Sequence, residues 1–88
     1  MTWHCITLPG NDATQAAATK LIEELEDAHA NAGKPEGVEV FHRRRGDGSH
    51  QFFLSPLASK VANLVLLRTA AVECNEPGGP DRLVRVRL

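Results

Sequence analysis

The order of hydrophobic patterns along the 88 residues constrains the fold more than any other feature of the chain. A short strand-like run, Trp3 to Leu8, precedes a long amphipathic stretch from Asp12 to Ala32. A hairpin with a glycine turn follows (Val38 to Ser55), then a second amphipathic stretch (Pro56 to Cys74) and a last alternating run (Arg82 to Leu88). Apolar residues at every third or fourth position are typical of helices, and strict alternation is typical of strands.

This order reads β-α-β-β-α-β and predicts a ferredoxin-like α+β fold. We expect a four-stranded antiparallel sheet in the strand order 4-1-3-2, with two helices on one face. Residues 1–88 are the length of a single domain. Because two helices cover only one face of such a sheet, we expect the other face to meet water, a ligand or a partner.

Local signals mark where the elements begin and end. Ser55 followed by Pro56 is typical of a helix start, because the serine side chain caps the helix and proline lacks the N–H that would stay unpaired. Gly33 is a natural left-handed stop for the first helix. Gly46 and Gly48 supply the positive backbone angles of a tight hairpin.

Side-chain alternation divides the strand residues between the two faces of the sheet. The more aliphatic set is predicted to pack under the helices: His4, Ile6, Leu8, Val38, Val40, His42, Phe52, Leu54, Val84, Val86 and Leu88. The other set defines what we call the open face, which is the candidate binding surface or interface: Trp3, Cys5, Phe41, Arg43, Gln51, Phe53, Arg85 and Arg87. A one-residue bulge would exchange Phe52 for Phe53.

Three of the four aromatic residues of the chain lie in this set, and exposed apolar groups of this size generally mark an interaction surface. In the order 4-1-3-2, Arg43 lies at one edge of the face, and Arg85 and Arg87 lie at the other. We interpret the aromatics as the apolar centre of the surface and the arginines as its charged rim.

The sequence favours a small cytoplasmic binding or accessory domain that forms a homodimer, through the open face or through an edge strand, without catalytic activity of its own. The alternative is a small-ligand binder or a cofactor-independent enzyme with a pocket between the sheet and its partner. Cys5, Gln51 and Arg85 are then the best polar candidates. The discriminating feature is a closed concavity beside Trp3, whereas a pure dimer interface would be filled by side chains of the partner.

Binding of single-stranded RNA, with stacked aromatics and arginines on phosphates, is a third hypothesis. It is the weakest of the three, because the basic-glycine-aromatic signature of RNA-recognition folds is missing from His50 to Ser55. The net charge of −1 also argues against a protein that grips nucleic acid non-specifically. The acidic residues crowd the first helix, and six arginines lie on or beside the second and last strands.

No metal site and no cofactor is expected. Neither a C-x-x-C nor an H-x-x-x-H spacing occurs, and Cys5 and Cys74 form no close pair in the sequence. His42 and His50 are predicted to be neighbours across the hairpin, where they would act as a pH sensor or stabilise the end of the core. No signal peptide and no membrane-spanning stretch is recognisable, so we expect a cytoplasmic protein with reduced thiols.

Overall fold

The computed structural model describes residues 2–11, 13–79 and 82–88. Within them lies one antiparallel sheet in the order β4-β1-β3-β2-β5, built from β1 (Trp3–Leu8), β2 (Val40–Arg44), β3 (His50–Leu54), β4 (Val72–Cys74) and β5 (Val84–Arg85). Three helices accompany it: α1 (Thr14–Asn31), α2 (Pro56–Val61) and α3 (Asn63–Arg68). The predicted α+β class and the antiparallel sheet are confirmed. The predicted number of four strands is wrong, because the sheet has five.

The second predicted helix is shorter than expected and is divided into two. Its start is confirmed, since the Ser55 side chain accepts a hydrogen bond from the Ala58 amide at 3.2 Å. Ala62, with φ −101° and ψ 30°, separates α2 from α3. Ala70 adopts a left-handed conformation (φ 52°), which ends the helical path and turns the chain back towards the sheet. The predicted continuation of the helix to Cys74 is therefore wrong.

Residues 72–74 form β4 against β1, and this pairing redirects the rest of the chain. Trp3 lies opposite Cys74, and Cys5 lies opposite Val72. The edge beside β1 is thus occupied, so the last strand pairs with β2 at the opposite edge, where Arg85 lies opposite Phe41. The prediction that placed Arg85 and Arg87 at the edge far from Arg43 is wrong, because β5 lies directly beside the strand of Arg43.

The helices pack on one face of the sheet, as predicted. The fully buried strand residues there are Ile6, Val40, Phe52 and Leu54, and the helices contribute Ala18, Leu21, Leu25, Ala58, Ala62 and Val65 to the same cluster. Val86 and Leu88 pack against it from the end of the chain. Phe52 faces the helices and Phe53 the opposite side, so no bulge shifts the register of β3.

The loop before α1 packs backbone to backbone against the hairpin turn. A Cβ atom at Gly10 would lie 2.7 Å from the Asp47 carbonyl oxygen and 2.8 Å from the Gly48 carbonyl carbon. These are main-chain atoms, which cannot rotate away as a side chain would. Gly10 is therefore required for the contact between the two loops.

Replacing Gly10 with alanine is expected to lower the free energy of unfolding by about 1–3 kcal/mol, the usual range for overpacking a close contact. The measurement is urea unfolding of Gly10→Ala. The matched control is Gly46→Ala, because a Cβ at Gly46 meets nothing within 4 Å. An equal effect of the two substitutions would contradict the close approach.

Candidate functional site

The chain between β4 and β5 has to cross the whole sheet, because these strands form opposite edges. Four strand spacings separate them, which is about 19 Å. We call the described part of this connection, residues 75–79 and 82–83, the crossing segment. Arg43, a residue of the open face, donates a hydrogen bond from Nη1 to the Gly78 carbonyl oxygen at 2.6 Å. The first part of the crossing segment therefore lies over the open face.

Phe53 lies at the centre of that face and is nevertheless 5% exposed. The Arg43 guanidinium lies over its ring, 5.0 Å from the ring centroid. Arg43 also donates from Nε to Gln51 Oε1 at 2.8 Å, so the guanidinium is fixed at two positions. We expected the whole open face to meet water, a ligand or a partner. This expectation is wrong at Phe53, because Arg43 of the same chain covers the Phe53 ring.

The structure brings part of the predicted surface together. The rings of Trp3 and Phe41 are 6.1 Å apart between centroids, and both side chains are half-buried. Arg85 and Arg87 are exposed. Stacking of bases on Phe53 would require an accessible ring, so the geometry gives the RNA hypothesis no support.

The three polar candidates for a catalytic site do not converge. Cys5 is buried, with Sγ 3.8 Å from the Thr7 hydroxyl. Gln51 is engaged by Arg43 and by Thr7. Cys5 and Arg85 lie on strands that are three positions apart in the sheet, about 14 Å at the usual strand spacing.

Cys74 lies in β4 rather than at a helix end, on the face that Cys5 shares. Both cysteines are free thiols. Burial, and secondarily the nearby Cys5, raise the pKa of the Cys74 thiol. At neutral pH this thiol is protonated, and a protonated thiol is a poor nucleophile.

A groove of about 320 Å³ lies beside Trp3, at the end of β3. We call it the Trp3 groove, and it is lined chiefly by Trp3, Glu39, Ser55, Pro56, Leu57 and Glu76. The sequence analysis missed both glutamates. Glu39 could have been found, since it precedes Phe41 by two residues and so shares its face. Glu76 reaches the groove only through the crossing segment, which the strand pattern did not predict.

A second concavity, of about 560 Å³, lies on the helical side of the molecule. We call it the α1–α3 groove, and it is lined by Glu24, Asp27, Ala28, Asn31, Ala32, Val61, Ala62, Leu64, Val65 and Arg68. Beside it, Leu64 and Leu67 are 72% and 73% exposed. The helical pattern predicts Leu64 on the buried stripe of the second helix, but the stripe that is buried runs through Ala58, Ala62 and Val65, and Leu64 faces outwards beside it.

The two walls of the α1–α3 groove carry opposite charges. Glu24 and Asp27 belong to α1, and Arg68 belongs to α3. Arg68 Nη2 lies 3.9 Å from Glu24 Oε2, at the long end of an ion pair. An exposed pair of this kind adds little to stability, so both charges remain available to a partner.

His42 and His50 meet across the hairpin, as predicted. His42 Nε2 lies 2.6 Å from His50 Nδ1, so that one ring donates and the other accepts. Burial, and then the adjacent His50, lower the pKa of His42 below its ordinary value of 6.5. His4 does not join the pair, because its Nδ1 lies 2.9 Å from the Ser59 hydroxyl.

This pair predicts a loss of stability in mild acid. The unfolded chain takes up a proton at His42 near pH 6.5, whereas the folded chain does so only at lower pH. The free energy of unfolding should therefore have its full value above pH 6.5. It should fall as the pH is lowered from there towards the pKa of His42 in the folded chain. Urea unfolding at several pH values between 5 and 8 measures this slope. His42→Gln should flatten it, and an unchanged slope would contradict the assignment.

The contact between Arg43 and the crossing segment gives a further prediction. Arg43→Lys should lower the free energy of unfolding by about 1–2 kcal/mol, because one ammonium cannot reproduce the planar fork that serves two acceptors. Amide hydrogen exchange in residues 75–79 should become faster. Arg45→Lys in the hairpin turn is the control. Equal exchange rates in both variants would show that Arg43 does not hold the segment.

Among the described residues, no group of three or more histidine, cysteine, aspartate or glutamate side chains is placed to hold a metal ion. In the same part of the chain, no helix combines the length and the apolar character that crossing a membrane requires.

No protein-family model matches this chain, and neither a curated protein nor a solved structure gives a significant match.

Proposed function

We propose that this chain is a small binding or accessory domain that acts as a homodimer and has no catalytic step of its own. Its framework is a ferredoxin-like core to which β5 adds a fifth strand. The proposal includes a cytoplasmic location, where both cysteines would stay reduced. The observation that carries it is the pair of leucines on α3, Leu64 and Leu67, which expose nearly three quarters of their surface beside a groove.

The helical side supports this association better than the two surfaces that the sequence suggested. The centre of the open face is covered by Arg43, whose guanidinium lies over the Phe53 ring and donates to the Gly78 carbonyl oxygen. The edge strands β4 and β5 span three and two residues, so each offers few backbone groups to a neighbouring chain. Large exposed apolar side chains next to a concavity, in contrast, are typical of an interaction surface.

A second copy of the chain fits this surface because the surface is complementary to itself. A two-fold interface uses the same patch on both partners, so each patch must supply both a ridge and a groove. Here α3 supplies the ridge, with Leu64 and Leu67, and the α1–α3 groove lies beside it. Arg68 on the ridge would meet Glu24 and Asp27 of the partner, which carry the opposite charge.

Light scattering of the purified chain tests the proposal. The wild type should have twice the chain mass of 9.6 kDa, and Leu64→Glu and Leu67→Glu should each shift it to a single chain mass. Both side chains are exposed, so the substitutions should leave the fold intact. Val84→Glu, at an exposed site on the far edge of the sheet, should remain dimeric. A monomeric wild type, or a dimer insensitive to both leucine variants, would refute this interface.

A second candidate function, binding of a small ligand, is favoured by one specific observation. The Trp3 groove lies where a ligand-binding protein was expected to have a closed concavity, but it is open to solvent, so it supports the binding of a ligand head group at the surface. It is formed by a single chain, and it shares no lining residue with the α1–α3 groove. The two functions are compatible, because they use different parts of the surface.

A further inference from the structure

The Trp3 groove combines an aromatic wall with two carboxylates. The indole of Trp3 comes from β1, Glu39 from the residue before β2, and Glu76 from the crossing segment. Three separate parts of the chain thus converge on one concavity. The electron-rich face of an indole attracts cations, and carboxylates nearby strengthen that attraction.

Among the described residues, no hydrogen bond or ion pair engages the carboxylate of Glu39. Its backbone N–H donates to the Ser55 hydroxyl at 3.1 Å, and its carbonyl oxygen accepts from the Ser55 amide at 2.9 Å. These bonds hold the main chain and leave the side chain to the groove. Within the described residues, the ion pair found is Arg68–Glu24, which lies on the helical side.

The arginines of the open face neither line the Trp3 groove nor pair with its carboxylates in the part of the chain that the structure describes. Arg43 is engaged by Gln51 and by the Gly78 carbonyl oxygen. Arg87 follows Arg85 by two residues, so it projects towards the same face, but it is exposed and forms no ion pair with Glu39 in the part of the chain that the structure describes. Neither is a lining residue of the groove.

The floor of the groove is apolar and closely packed. Pro56 and Leu57 form it at the start of α2. Gly37 borders it with φ +85°, and a Cβ atom there would come within 3.3 Å of the Leu57 side chain. An apolar floor suits a methylated or alkylated head group better than a strongly hydrated inorganic ion.

We propose that the Trp3 groove binds a small organic cation, with an alkylated ammonium group against the indole of Trp3 and between the carboxylates of Glu39 and Glu76. The inference rests on the second candidate function, ligand binding, and is independent of the homodimer. A volume of about 320 Å³ admits a head group with a short chain. Binding is non-covalent, so no chemical step is involved.

The test uses the intrinsic fluorescence of Trp3, which is the single tryptophan of the chain. Tetramethylammonium chloride is titrated into the full chain, with sodium chloride and the neutral, similarly shaped tert-butanol as reference titrations. A saturable change in Trp3 emission with tetramethylammonium alone is expected. No saturation, or an equal response to tert-butanol, would overturn the proposal.

Charge-neutral variants then test the two carboxylates separately. Glu39→Gln and Glu76→Gln should each weaken the binding of tetramethylammonium about 1.5- to 5-fold, the usual range for an exposed pair of opposite charges. Glu36→Gln is the matched control, because Glu36 is exposed nearby but does not line the groove. If Glu36→Gln weakened binding equally, the effect would arise from the overall charge of the chain rather than from the groove, and the site would be refuted.

Light scattering of the same variants separates this inference from the homodimer. Glu39 and Glu76 lie outside the α1–α3 groove, so their replacement should leave the mass in solution unchanged. Conversely, Leu64→Glu should keep the response of Trp3 to tetramethylammonium. If Leu64→Glu abolished that response, the groove would depend on the dimer, and the proposal of a site within one chain would be wrong.

Discussion

The pairing of β4 with β1 is the interaction on which the rest of the architecture depends. Only three residues form it, yet they occupy the edge of the sheet that the end of the chain would otherwise take. The last strand is thereby sent to the far edge, beside β2. The connection must run across the sheet, and this crossing brings Gly78 to Arg43 and Glu76 to Trp3.

The parts of the fold that could be predicted are those that local patterns determine. Alternation in β1 and β3 gave the correct faces, including the outward position of Phe53, because side chains in a strand have a fixed period of two. The cap at Ser55 was recognisable because it depends on two adjacent residues. In each of these cases the physical cause lies within a few positions of the chain.

The errors arose where tertiary contacts outweigh local preference. Residues 56–74 have the spacing of one helix, but Ala70 takes a left-handed conformation and the next residues gain hydrogen bonds from the free edge of β1. The new position of residues 72–74 also determines the Trp3 groove, because the crossing segment that follows them carries Glu76 there. This effect leaves no signal in the periodicity of the sequence. The outward position of Leu64, in contrast, could have been found, because it lies off the helical stripe of Ala58, Ala62 and Val65.

The order in which the sheet can assemble follows from the same connection. The β2–β3 hairpin closes a short loop, whereas β1 must find partners about 50 and 70 positions further along the chain. The crossing segment can settle only after both edges exist, since it spans from one to the other. Arg43 can therefore cover Phe53 as soon as the hairpin forms, but it gains the Gly78 carbonyl oxygen as a partner only late in folding.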